Sequence, residues 1–204
     1  MVDSKADAPE PAAGEIVHNA DSRDHFEVLG LPRRLQVDQA QLAKNYYALS
    51  RLYHPDFHHS ASPSERVASL RRTAAVNDAY KTLKDPVARG KWWLEANGGR
   101  LNQSNQVPPD LVELVFEVQD AISEIGDSSD PAQIAQIARY RDEVKSELAM
   151  RLSALNENFA QWDSRSEDAD TSALRDDLQR ILASISYLRT LLRDIETARE
   201  NVRS

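Results

Sequence analysis

The chain has no cysteine in its 204 residues. Disulfides are thereby excluded, and so are thiolate ligands for zinc or for an iron–sulfur cluster of the chain's own. Glycine is scarce, with six in the whole sequence, which disfavours a fold built from many tight turns. Long apolar runs are missing too. No stretch approaches the roughly 18 uninterrupted apolar residues that a membrane span needs. Residues 1–20 hold one lysine, no arginine and four acids, Asp3, Asp7, Glu10 and Glu15. They lack both the apolar core of a secretory signal and the basic amphipathic character of an organelle transit peptide, and are expected to form a flexible tail. No G-x-S-x-G elbow is present, and no segment alternates as a strand would, which argues against a serine hydrolase.

What is present is charge and helical periodicity. The chain is 41% hydrophobic and 28% charged, with a net charge of −8. It can bury a core, and its long 3.6-residue patterns predict an all-α protein. The charge is uneven. Residues 21–99 carry twelve bases against nine acids, and residues 100–204 carry twelve bases against twenty acids. An acidic second half argues against a nucleic-acid footprint there, and the excess in the first is too small to imply one.

Start and stop signals divide the chain into seven helices. Asp24–Leu29 is a short helix stopped by Gly30-Leu31-Pro32. Asp38 is an N-cap with Gln41 as its capping-box partner, and the helix it opens runs to about Tyr53. Leu42, Tyr46, Leu49 and Tyr53 share one face of this helix, while Lys44 and Arg51 share the opposite one. Pro55 ends it. After a loop, Ser62-Pro63-Ser64-Glu65 opens a helix with a Ser cap, Pro at the first position and Glu as box partner. It reaches about Lys84, with Val67, Leu70, Ala74, Tyr80 and Leu83 as its expected buried side. The two long helices and their tight loop predict an antiparallel hairpin. Asp85-Pro86 opens a fourth helix, ending at Gly98-Gly99. Three more helices follow, from Pro109 or Asp110 to Gly126, from Asp130-Pro131 to about Trp162, and from about Ser172 to Val202. Short connections make these a bundle. The expected organisation is a tail over 1–20, a first domain over 21–98, a linker over 99–108 and a three-helix bundle over 109–204.

The loop between the two long helices carries His54-Pro55-Asp56. Proline restricts the loop, so docking costs less entropy. Asp56 offers a charged acceptor, and His54 can donate from a ring nitrogen. Lys44 and Arg51 add positive charge that steers an acidic partner, an effect that salt weakens. The bland alternative is a helix-ending turn with a solvated His and Asp. A second alternative is a metal site formed by His54, His58, His59 and Asp56. Its spacing matches no common zinc signature, and no helical H-x-x-x-H pair occurs.

Taken with Phe26-Glu27-Val28-Leu29-Gly30 ahead of it, the basic helix before it and the long helix after it, this arrangement resembles the J domain. The resemblance implies that His54, Pro55, Asp56, Lys44 and Arg51 engage a DnaK-type heat-shock chaperone and stimulate its ATP hydrolysis. Three stretches make the chain most similar to the HscB (Jac-type) family of iron–sulfur assembly co-chaperones. They are Tyr53-His54-Pro55-Asp56-Phe57; the run Val76-Asn77-Asp78-Ala79-Tyr80-Lys81-Thr82-Leu83-Lys84-Asp85-Pro86 leading to Arg89-Gly90-Lys91-Trp92-Trp93-Leu94; and Pro108-Pro109-Asp110-Leu111 with Phe116-Glu117-Val118-Gln119. The likeness covers about residues 24–202. It implies an N-terminal J domain, made of a helical hairpin with short flanking helices, followed by a C-terminal three-helix bundle. The cysteine-rich N-terminal metal site of some eukaryotic members is absent, and with no transit-like segment a bacterial, cytoplasmic protein is expected.

In the fifth helix Leu111, Leu114, Val115, Val118, Ile122 and Ile125 form an ordinary core stripe. The other side holds Val112, Glu113, Phe116, Glu117, Asp120 and Glu124. Apolar anchors rimmed by charge suit a binding patch. The alternative is that Phe116 packs against the first domain or another helix. In the HscB family this face binds the scaffold protein on which clusters are built, so the resemblance implies these six residues, together with Tyr187 on the last helix, as scaffold contacts. Glu113 departs from the apolar residue often found at its place. Of Trp92 and Trp93, one is expected to pack inward and the other to seal an interdomain contact.

The resemblance thus implies a two-ended adaptor rather than an enzyme, with no catalytic residues, cofactor or metal. It would bring an IscU-type scaffold to an HscA/DnaK-type chaperone, with no nucleic-acid or membrane partner. The alternative is a J-domain adaptor with a different client.

Overall fold

The computed structural model describes residues 24–54, 62–99, 107–125, 130–166 and 168–203. Every regular element among them is helical. In chain order they are α1 (His25–Val28), α2 (Gln39–Leu52), α3 (Pro63–Lys84), α4 (Pro86–Ala96), a single 3₁₀ turn (Pro109–Leu111), α5 (Val112–Ile125), α6 (Pro131–Ser164) and α7 (Ser172–Arg203). The expected tail and most of the expected linker lie outside the described residues.

The chain divides into two compact units, residues 1–89 and 90–204. The division falls inside α4, where the sequence places none. The reason lies in the second half of that helix. Gly90 sits where an added Cβ would lie 3.3 Å from both Phe159 and Leu182, so the missing side chain lets α4 approach α6 and α7. Trp93 is buried and meets Trp162 edge-on, with ring centroids 5.8 Å apart. Trp93 is therefore the inward-packing member of its pair, and Trp92 is partly exposed.

In the first unit α2 and α3 form the hairpin and α1 packs on α3. The core is Phe26, Val28, Leu29, Leu35, Leu42, Leu49, Tyr53, Val76, Ala79 and Leu83. Local signals fix the helix ends. The Asp38 carboxylate accepts from the Ala40 and Gln41 amides at 2.9 and 3.2 Å. The expected reciprocal box with Gln41 does not form there, because the Gln41 side chain instead donates to Asn45 Oδ1 at 2.7 Å. At α3 the full capping box is present. The Glu65 amide donates to Ser62 Oγ, and the Ser62 amide donates to Glu65 Oε2.

The buried side of α3 differs from expectation. Val67 and Leu70 are 48% and 56% exposed, and Ala74 is exposed as well. Ser69, Val76, Ala79 and Leu83 face the core instead. The helix is phased by two hydroxyls. Ser69 Oγ and Thr73 Oγ1 both donate to the Tyr53 carbonyl at 2.8 Å, and turning them inward turns Val67 and Leu70 outward.

In the second unit α6 and α7 form a long antiparallel pair with α5 laid against both. Leu111, Val115, Val118, Ala121, Ile137, Val144, Leu188, Leu191 and Ile195 build the shared core. Arg151 ties the start of α5 to α6 through Asp110 at 2.7 Å. Asp170 caps α7 by accepting from the Ser172 amide at 2.9 Å and the Ser172 hydroxyl at 3.0 Å. Those bonds, the backbone one first, hold its carboxyl below the usual 3.8.

Candidate functional site

The first candidate site begins at the end of α2. Tyr53 closes that helix, its amide bonded to the Leu49 carbonyl at 3.0 Å. Its ring is buried, with the Arg72 guanidinium 5.7 Å from the ring centre. Burial pushes the Tyr53 phenol above its usual 10.0, and nearby Arg72 pulls the other way. The two bonds from Ser69 and Thr73 then clamp the Tyr53 carbonyl to α3. His54 follows immediately and is exposed. The fold thus presents His54 from a fixed backbone origin rather than from a free loop. Pro55 and Asp56 lie outside the described residues, as do His58 and His59.

Lys44 and Arg51 are both exposed on α2, two turns apart. They are held on the outside because Leu42, Asn45 and Leu49 occupy the inner face. Asn45, in turn, donates from Nδ2 to the Leu29 carbonyl at 2.8 Å and the Gly30 carbonyl at 3.3 Å. Gly30 has φ +61°, a conformation that favours glycine. This bond locks the turn after α1 to α2, so the basic helix cannot rotate without losing a buried partner.

Sequence reasoning missed Ser69, Thr73 and Asn45 as positioning residues. Their bonds reach a carbonyl 15 to 20 residues back along the chain. A Ser and a Thr four apart at the start of the helix after such a loop are the signal that was available.

The second candidate site is the outer face of α5. Val112 is 51% and Phe116 72% exposed, so Phe116 is not a core residue of the bundle. Glu113, Glu117, Asp120 and Glu124 are exposed around them. None of the four makes an ion pair among the described residues, and α5 contains no basic residue. Like charges at i, i+4 cost a helix roughly 0.2–0.5 kcal/mol per pair, and Glu124 adds charge at the unfavourable end of the helix dipole. Tyr187 stands apart from this face. It is half-buried against the bundle core, and with Val107, Gln119, Thr190 and Asp194 it lines a cleft. The described residues thus bring six of the seven proposed contacts onto one face and place the seventh in an adjoining groove. Among the described residues no group of three or more His, Cys, Asp or Glu side chains could hold a metal ion.

A helical hairpin with a basic outer face, a clamped histidine at its turn and a short helix packed on its second arm defines a J domain. The family profile of the DnaJ domain matches residues 24–92. The chain is similar to the co-chaperone protein HscB homologue of Shewanella baltica, 31% identical over 182 residues, covering 86% of this chain and 98% of that protein. It is also similar to the HscB homologue of Vibrio campbellii, 34% identical over 110 residues, covering 53% of this chain and 64% of that relative. In three dimensions it matches the chaperone HscB from Vibrio cholerae with a TM-score of 0.67 and 25% identity, covering 87% of this chain and 98% of that one. The human co-chaperone protein HscB has the same fold, with a TM-score of 0.65. The chain belongs to the HscB family of J-domain co-chaperones.

Proposed function

We propose that this co-chaperone binds an IscU-type iron–sulfur cluster scaffold on α5 and delivers it to an HscA/DnaK-type chaperone, whose ATP hydrolysis its J domain stimulates. His54, Pro55 and Asp56 would engage the ATPase, steered by Lys44 and Arg51. Val112, Glu113, Phe116, Glu117, Asp120 and Glu124 would hold the scaffold, with Tyr187 at the edge. The chain itself performs no bond chemistry and acts in the bacterial cytoplasm.

One observation carries the scaffold reading. A 72% exposed phenylalanine stands among four carboxylates without an ion pair among the described residues. Such a face is unfavourable in the free protein and fits a partner with an apolar pocket rimmed by lysine or arginine.

The test is an ATPase assay with the purified cognate chaperone, with and without the scaffold. Synergy between chain and scaffold is expected, and His54→Gln should abolish stimulation while leaving scaffold affinity intact. Normal stimulation by that variant sinks the chaperone assignment. The Phe116→Ala, Glu117→Ala double variant should lose at least tenfold in scaffold affinity. An unchanged value would favour the second reading, a J-domain adaptor for a different client, which the acidic Glu113 in a usually apolar place also suits.

A further inference from the structure

We propose that the start of α3 is a second contact surface for the chaperone that His54 engages. Its anchors are Val67 and Leu70, rimmed by Arg66 and Arg71. The proposal rests on the chaperone reading above and extends it to residues outside the loop and the basic helix.

Three observations lead there. Val67 and Leu70 are 48% and 56% exposed, and with exposed Ala74 they form an i, i+3, i+7 strip on one side of α3. The core does not use this strip, since Ser69, Val76, Ala79 and Leu83 complete the buried side. A contiguous exposed apolar strip rimmed by polar side chains is the kind of surface that marks an interaction site, whereas single exposed aliphatics do not.

The strip is also registered against the loop. Ser69 lies between Val67 and Leu70 and bonds the carbonyl of Tyr53, the residue before His54, at 2.8 Å. Both aliphatics are thus within about one helical turn, ~5 Å along the axis, of that contact. A stable partner covers about 800 Å² of each surface, a disc of roughly 16 Å radius. A chaperone that docks on His54 with a footprint of that size also covers the start of α3.

The rim fixes the chemistry of the occupant. Arg66 and Arg71 are exposed and make no ion pair among the described residues. Like Lys44 and Arg51 on α2, they are exposed bases, so the partner surface that fits this strip is acidic around an apolar centre. The two parts of the interface differ physically. Lys44 and Arg51 act through charge that salt screens. Val67 and Leu70 act through apolar burial, which salt does not screen.

The experiment measures the concentration of full-length chain that gives half-maximal ATPase stimulation, at low and at high ionic strength. The variants are V67Q/L70Q, L70Q alone and K44A/R51A. Glutamine is close to leucine in length and helix propensity and is a better helix former than valine, so neither change should weaken the helix, and a thermal melt checks the fold. Half-saturation for V67Q/L70Q should rise about tenfold at both ionic strengths, and for L70Q by a smaller factor in the same direction. The K44A/R51A defect should be large at low salt and shrink at high salt. A V67Q/L70Q value within twofold of wild type, while H54Q abolishes stimulation, overturns this proposal alone. Absence of stimulation by the wild-type chain, or normal stimulation by H54Q, overturns the chaperone reading and this proposal with it. A V67Q/L70Q effect confined to sedimentation of the free chain, or to scaffold affinity, assigns the strip to another occupant and overturns it as well.

Discussion

At the scale of single residues, the apolar core of the first unit is held in register by a few buried polar side chains, among them Asn45 and Ser69. Asn45 is 6% exposed and joins the turn after α1 to α2 through Leu29. Replacing it with alanine leaves a buried carbonyl without its donor. The cost of such a loss is about 1–3 kcal/mol, to be read from chemical denaturation, with the basic helix losing its fixed rotation. His25 gives a pH signature. It is half-buried, and burial holds its pKa below the usual 6.5, although Asp78 and Asp24 pull it upward. The unfolded chain therefore takes up a proton more readily than the folded one. The stability due to a neutral His25 is complete above about pH 6.5 and is lost as pH falls through 6.5 toward the lower folded value. His25→Gln should flatten the loss of stability between neutral and mildly acidic pH. An unchanged slope would show that His25 does not titrate differently on folding. The His54-Pro55-Asp56 motif was legible because it is contiguous and flanked by helix signals. Asn45, Ser69 and Thr73 were not, because each acts on a backbone carbonyl that only the tertiary fold brings near.

At the scale of elements, helix ends were legible and one helix face was not. The capping box of α3 was readable as Ser62-Pro63-Ser64-Glu65. Ser62→Ala should cost about 1 kcal/mol, measured as a fall in midpoint with an unchanged denaturant slope. The face of α3 was misjudged because apolar periodicity assumes that aliphatics go inward. Here two hydroxyls bound to Tyr53 set the rotation, and Val67 and Leu70 were turned out. In α5 the same periodicity worked, since Val115, Val118 and Ala121 are buried and the acidic side is exposed. That helix offers a prediction with opposite signs in two assays. Removing charge with Glu117→Gln and Asp120→Asn relieves like-charge repulsion, so the free chain should gain a few tenths of a kcal/mol. The same change should weaken scaffold binding, because the rim of the patch loses its attraction for a basic partner. A variant that is both more stable and a better binder would contradict the role given to these carboxylates.

At the scale of the whole molecule, two candidate sites lie on two units joined through α4. The sequence indicated both units, since each has its own helix signals and charge balance. It did not indicate that the division falls within a helix, because that depends on Gly90 and Trp93 meeting residues some seventy to ninety positions later. The presence of both sites on one chain is itself functional under the adaptor reading. Holding the scaffold on α5 makes its encounter with a J-domain-bound chaperone intramolecular, at an effective concentration that short connections raise to the millimolar range, ~10⁻³ M. The gain depends on covalent linkage and cannot be supplied by two molecules. A mixture of full-length H54Q, competent only for scaffold, and full-length F116A/E117A, competent only for chaperone, contains every site the wild type has. If both sites acted independently, the mixture would restore scaffold-dependent ATPase synergy. Because the sites are on different molecules, each must meet the other through solution, and at micromolar protein the local concentration falls by about 10²–10³-fold. The mixture should therefore show the basal stimulation of the F116A/E117A variant and no synergy, whereas the same total amount of wild type shows both. Restored synergy would mean that scaffold and chaperone meet without the tether, and that the joining of the two units serves stability rather than delivery.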